Sequence, residues 1–234
     1  MPRLRIGVVC YPTFGGSGIV ATEIALGMAH RGHHVHVIAH APPVRLDRGR
    51  DNVFFHEVGG VDHPLLDRDR SYPIALASKL VDVGLWAGLD VVHAHYAVPH
   101  ATSAWMACEV LGAKRFALVT TLHGTDITLV GSDPTYRPIT RFSIERSDVV
   151  TAPSAFLRQA TYDQLDVAPE TTIEVVPNFV DADRYAPSAG EPACPGRLFS
   201  DGGQSCPGEP LLVHVSNFRP LKRVLDVVAI FARV

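Results

Sequence analysis

The chain has 234 residues, 47% of them apolar and 19% charged, with a net charge of -3. That length and composition suit one large α/β domain, or one domain and part of another, around a substantial core. The negative balance argues against nucleic acid as the main partner, and no apolar run reaches the roughly 18 residues of a membrane span.

The N-terminus, MPRLRIGVVC, carries two arginines and then a short apolar run that breaks at Tyr11-Pro12. A secretory signal would stay apolar for longer, so this is expected to be a first strand of a cytoplasmic protein. A loop, Gly15-Gly16-Ser17-Gly18, follows, and from Ile19 the apolar residues Ile19, Ala21, Ile24, Ala25, Met28 and Ala29 recur at helical spacing up to Arg31-Gly32-His33. Strands are expected at His34–Ala39 and Val53–Val58, joined by a polar stretch from Pro42-Pro43 to Asp51. A second polar loop, Gly59–Tyr72, precedes a helix at Ile74–Trp86. Next come a short buried strand at Leu89–Ala94, the loop HYAVPH and a helix at Ala101–Leu111. The strand Phe116–Leu122 runs into His123-Gly124-Thr125-Asp126. A helix over Pro134–Arg146, a strand at Asp148–Ala152, a helix over Ala155–Leu165 capped by Ser154, and a strand at Ile173–Val176 complete this part.

Strand and helix alternate, and the strands are short and apolar throughout. This predicts a mostly parallel sheet covered by helices on both faces. Ligands of such sheets sit at the carboxyl ends of the strands. The rule selects Gly15 to Ser17 after the first strand, His93, His95 and Tyr96 after the LDVV strand, Thr121 and His123 after FALVT, and Asn178 after EVV. From Asp181 to Pro210 the composition turns to Pro, Gly, Ser and Asp, which predicts a linker. A strand, Leu211–Val215, and an amphipathic helix from Val224 follow. These two elements cannot bury their own faces and are expected to begin a second domain.

The glycine loop between a strand and a helix N-terminus suits an anionic ligand, because backbone N–H groups can approach it and the helix dipole favours negative charge. A tight turn that merely needs glycine is the plain alternative. The spacing is not that of the G-x-G-x-x-G dinucleotide fingerprint, which speaks against an NAD-dependent oxidoreductase. His93, His95, His100 and His123 could suggest a metal, but no Asp or Glu accompanies them and no helical H-x-x-x-H pair exists, so no metal is expected. His93 is read as a core histidine, and His95 and His123 as hydrogen-bonding or positioning groups. The Asp67–Asp69 and Asp181–Asp183 strings lie in polar loops and are discounted. Lys222 and Arg223 follow a strand and a turn, where they could face an anion across a cleft from the glycine loop or form a solvated helix start. Arg141 and Glu145, at i and i+4, form a surface pair on the plain reading. Of the four cysteines, Cys10 and Cys108 lie in apolar segments as small hydrophobes, while Cys194 and Cys206 sit in a loop.

Five segments, CYPTFGGSGIVATE, HAHYAVPHA, VTTLHGTDITLVG, VVPNFVD and VHVSNFRPLKRVLDV, occur in this order over nearly the whole chain. Together they resemble the retaining glycosyltransferases of the two-Rossmann-domain (GT-B) class. HAHYAVPHA combined with TTLHGTD points within that class to the bacillithiol-pathway branch, which joins N-acetylglucosamine to L-malate. The resemblance implies a Rossmann-like acceptor domain over 1–180, a linker over 181–210 and the start of a nucleotide-sugar domain over 211–234. It implies UDP-N-acetylglucosamine as donor, L-malate as acceptor, retention of the α configuration and no metal or other cofactor. Gly15, Gly16, Asn217 and Lys222 would bind the donor. His123 and Lys222 would be catalytic, His123 beside the sugar and Lys222 as the cation that stabilises the leaving UDP. Ser17, Tyr96, Thr121 and Arg141 would take the malate carboxylates, Arg141 in bidentate fashion.

Two features depart from that family. Its members continue through a full second domain that carries most uridine contacts, and the segment Ser188–Glu209 looks foreign to it. Efficient catalysis by these 234 residues alone is therefore not expected. A non-catalytic module that binds an anionic small molecule is the alternative, and pairing of two copies would fit the family.

Overall fold

The computed structural model describes residues 2–46, 49–59, 72–183, 185–186, 213–216, 218 and 220–233. The chain divides into two units, Met1–Phe179 and Val180–Val234.

Among the described residues the first unit contains seven strands: β1 Arg5–Val9, β2 His34–Ala39, β3 Val53–Glu57, β4 Val91–His95, β5 Ala117–Thr121, β6 Val149–Ala152 and β7 Ile173–Val175. They form one sheet in the order β3-β2-β1-β4-β5-β6-β7, and each neighbouring pair is parallel. The expected parallel α/β architecture is thus present. Its helices are α1 Gly16–His30, α2 Tyr72–Val83, α3 Thr102–Leu111, α4 Arg137–Glu145 and α5 Ala155–Leu165.

Side chains of successive strand residues point to opposite faces, and both faces are covered. Ile6, Val8 and Cys10 of the first strand segment pack with Ala21 and Ala25 of α1 and with Val35 and Val37 of β2. Val9 and Ile38 point the other way, into a cluster with Leu76 and Leu80 of α2 and Leu111 at the end of α3. A third cluster joins Val150 and Ile173 to Leu157 and Leu165 of α5. Burial on both faces is why β2, whose sequence alternates His and Val, is nonetheless buried from Val35 to Ala39. Cys10 and Cys108 are free and buried, as small core residues.

Boundaries differ from the periodicity by at most three residues, and two of these differences have a local cause. The helix expected to reach Trp86 ends at Val83 and continues as a π-type turn, Gly84–Gly88. The expected start at Pro134 moves to Arg137, because residues 131–136 form turns. Further π-type turns occupy Ala97–Ala101 and Asp126–Val130, in the loops that follow β4 and β5. Apolar spacing does not mark such turns, since they bury loop backbone rather than a helix face.

In the second unit a short 3-10 turn, Pro220–Lys222, leads into α6 Val224–Phe231. The expected strand at 211–215 is not formed over 213–215, and 211–212 lie outside the described residues. Most of the expected linker at 181–210 lies outside them too, with Cys194 and Cys206, and so does the Asp67–Asp69 string.

The glycines of the loop differ in what holds them. A Cβ on Gly18 would lie 2.5 Å from the carbonyl oxygen of Tyr11 and 2.7 Å from that of Thr13, whereas one on Gly16 meets nothing within 4 Å. Gly18→Ala is therefore expected to destabilise the fold by roughly 1–3 kcal/mol. Gly16→Ala should leave the urea midpoint unchanged or slightly higher, since alanine is the better helix former.

Candidate active site at the carboxyl edge of the sheet

β1 lies between β2 and β4, so the chain leaves β1 toward one side of the sheet and returns at β4 on the other. The loops after β1 and β4 therefore part and leave a crevice, which is where open α/β sheets bind ligands. Three loops meet at this edge.

The first loop, Tyr11 to Gly15, leads into α1. Gly15 occupies the N-cap with extended backbone, and no side chain caps the helix. The first N–H groups of a helix have no intrahelical partner, and here they face outward beside two glycines. Gly16 adopts no positive φ and meets no neighbour, and Gly15 meets only Thr13 Oγ1 at 3.3 Å. Internal packing thus does not explain either glycine.

The second loop follows β4. Tyr96 has φ +89, a region that L side chains rarely adopt, at a cost of about 1–3 kcal/mol. This backbone carries the phenol back over the crevice, where its hydroxyl donates to Ser17 Oγ at 2.9 Å. The ring lies 5.5 Å from Tyr11 and 4.8 Å from His123, centroid to centroid.

The third loop follows β5. Thr121 is 7% exposed, and its hydroxyl sits between His93 Nε2 at 2.6 Å and Thr151 Oγ1 at 2.7 Å. His123 Nε2 lies 3.1 Å from His95 Nδ1. Asp126, 2% exposed, joins the second and third loops. Its Oδ1 accepts from the Ala97 N–H at 2.8 Å and its Oδ2 from the His123 N–H at 2.7 Å. The latter is one half of a capping box, an acid reaching back three residues to a free backbone donor.

Burial sets the protonation states. It pulls the imidazoles of His93, His100 and His123 down to about 4, and that of His95 well below its usual value. Burial also lifts Asp126 to about 7, against the pull of the backbone N–H groups. At neutral pH the edge therefore offers uncharged imidazoles, hydroxyls and free helix N–H groups. That set can orient an anion bearing hydroxyl or carboxylate groups. Among the described residues no group of three or more His, Cys, Asp or Glu could hold a metal ion.

Of the residues selected from the sequence, Gly15, Gly16, Ser17, Tyr96, Thr121 and His123 come together here. Arg141 does not join them. Its Nε donates to Glu145 Oε1 at 2.8 Å, the same oxygen that accepts from the Ala168 N–H, in a surface depression lined by Arg137, Pro138, Phe142, Leu165 and Asp166. This is the plain surface pair. Lys222 is exposed in the second unit, and Asn217 lies outside the described residues. Asp126 was not singled out from the sequence. Its signal was available, an acid three residues after a residue that ends a strand and opens a helical turn.

Residues 14–184 match the sequence profile of Glycosyltransferase Family 4. A curated relative, "N-acetyl-alpha-D-glucosaminyl L-malate synthase" of Bacillus anthracis, is 44% identical over 232 residues, covering 99% of this chain and 58% of its own. The chain thus spans a little over half the length of that relative. Among solved structures, a glycosyltransferase from Rickettsia africae superposes with a TM-score of 0.64 at 17% identity, over 85% of this chain and 49% of its own. Sucrose-phosphate synthase from Thermosynechococcus elongatus gives 0.60 at 16% identity, over 84% and 52%. The Anabaena protein HepE, crystallised with UDP-glucose, gives 0.58 at 19% identity, over 84% and 49%.

Two outcomes follow from the site's electrostatics. His36, His93, His100 and His123 are held at about 4 in the fold against 6.5 when free. Their stabilisation is complete above 6.5 and is lost as pH falls toward 4, by roughly 1.4 kcal/mol per histidine per pH unit. Asp126, raised from 3.8 to about 7, works in the opposite sense: its stabilisation is present below 3.8 and lost as pH rises through 7. Four groups outweigh one, so the urea midpoint at pH 5 should fall below that at pH 7, and an equal or higher midpoint would refute the burial argument. Asp126→Asn leaves an NH2 group facing one of two N–H donors. It should cost about 1–3 kcal/mol and shift the amide resonances of Ala97 and His123 together.

Proposed function

The chain belongs to Glycosyltransferase Family 4, and from that premise we propose that it is the acceptor-side part of an enzyme that transfers N-acetylglucosamine from UDP-N-acetylglucosamine to L-malate with retention at the anomeric carbon. The observation that carries the proposal is the match, along almost the entire chain, to the N-acetyl-alpha-D-glucosaminyl L-malate synthase of Bacillus anthracis. The chemistry of the crevice supports it. A dianionic diphosphate needs N–H groups and cations, and the uncapped start of α1 with Gly15 and Gly16 supplies the former. A hydroxy-dicarboxylate needs hydroxyl donors beside it, and the Ser17–Tyr96 pair lies one helical turn or less from those glycines.

In this proposal Ser17 and Tyr96 bind malate and His123 borders the sugar. Thr121 acts from behind, because its hydroxyl is engaged by His93 and Thr151. Arg141 would take part only by leaving Glu145. Lys222 and Asn217 would hold the departing UDP, Lys222 neutralising its growing charge. The leaving phosphate oxygen would take the acceptor's proton on the face of attack, so the site needs neither a carboxylate base nor a metal. The part of the longer relative that lies outside the match would bind the nucleotide, and transfer is expected only in its presence.

UDP release is the direct test. The 234-residue chain alone should give none above background with UDP-N-acetylglucosamine and L-malate. A chimera continued with the C-terminal part of the Bacillus anthracis relative should release UDP with malate, and Tyr96→Phe in it should raise KM for malate at least tenfold. A folded chimera inert with malate and with other hydroxy acids would refute the assignment.

A further inference from the structure

The paired histidines at the strand ends carry information beyond this function, although the consequence for substrate rests on it. His95 and His123 meet edge to edge, with Nδ1 of the first 3.1 Å from Nε2 of the second. Their centroids are 5.3 Å apart and the ring planes differ by only 26°. This is the geometry of one in-plane N–H···N hydrogen bond, and such a bond holds a single proton. Two arrangements are possible. Either His95 donates from Nδ1, or His123 donates from Nε2.

The far side of His95 discriminates between them. His95 is fully buried, and among the described residues its Nε2 has no hydrogen-bond partner. If His123 were the donor, His95 Nδ1 would be bare and its proton would sit on Nε2, an enclosed N–H without an acceptor. Burying an unpaired donor carries its full desolvation cost, and orphaned N–H groups are rare, whereas an unpaired lone pair is better tolerated. His100 shows that this pocket does leave a bare lone pair enclosed. Its Nδ1 faces the backbone carbonyl of His95, which can only accept, so the proton is on Nδ1. The Nε2 of His100 is then bare, buried and unpartnered.

We infer that His95 is a positioning residue that donates from Nδ1 to Nε2 of His123, and thereby fixes His123 as the Nδ1–H tautomer. Both rings are uncharged, in keeping with their burial. Among the described residues Nδ1 of His123 has no hydrogen-bond partner, and the residue keeps 8% of its surface exposed, its ring beside that of Tyr96. His123 therefore presents an N–H donor to the crevice, not a lone pair. The matching substrate group is an acceptor oxygen, of a sugar hydroxyl, an amide carbonyl or a phosphate. A group that needs to lose a proton to His123 does not fit. The partner nitrogen fixes which ring nitrogen is protonated, as in other histidine sites.

Long-range proton–nitrogen correlation spectra of the 15N-histidine-labelled chain at pH 7.5 read the tautomers directly. His95→Gln and His123→Gln assign the two rings by loss of their cross-peaks. Both rings should show the proton on Nδ1 and a bare Nε2. His95→Asp, which can only accept at this position, should move the His123 proton to Nε2. If that variant does not fold, the wild-type spectrum alone is sufficient. A wild-type His123 protonated at Nε2, or a charged ring, overturns the inference. The measurement needs no substrate and no turnover, so it can fail while the transferase assignment stands, and the reverse.

Discussion

The N–H groups of Ala97 and His123 lie on different loops, and both donate to the carboxylate of Asp126. One loop carries Tyr96 and the other carries His123, so this buried carboxylate sets the distance between the two side chains that flank the crevice. A carboxylate taken out of water this far is unfavourable unless its lone pairs are met. Here the backbone N–H groups meet them and offset part of the rise in proton affinity that burial causes. The positive φ of Tyr96 and the turns Ala97–Ala101 and Asp126–Val130 lie in the same two loops that Asp126 joins.

Around that clamp the site is built from neutral polar groups packed on one another. Thr121 is held by His93 and Thr151, His123 by His95, and the carbonyl of His95 by His100. Each link ends a parallel strand or follows one, so the sheet itself supplies the rigidity that a ligand-binding edge needs. The histidines stay uncharged because they are desolvated and crowd one another. A cluster of charged imidazoles would repel and draw water in. Uncharged rings can instead pass directional hydrogen bonds from strand to strand.

The glycine loop shows the complementary strategy. Gly18 is required by packing against the Tyr11 and Thr13 carbonyls, but Gly15 and Gly16 are not required by anything within the fold. The start of α1 has no capping side chain, and a helix dipole favours negative charge at such an end. The Tyr96–Ser17 bond ties this end to the second loop.

The amino-acid sequence by itself determined the parallel α/β class, the seven strands of the first unit and the edge on which Gly16, Ser17, Tyr96 and His123 meet. Those depend on local periodicity, on glycine at turns and on a topological rule that holds for any such sheet. Only the tertiary structure decided what each side chain does there. Thr121 faces inward to two partners, Arg141 is bound to Glu145 on the surface, and Asp126 emerges as the clamp. The reason is physical: periodicity reports which face of an element is buried, but hydrogen-bond partners 29 residues apart, as Ala97 and Asp126 are, become neighbours only when the strands are laid side by side.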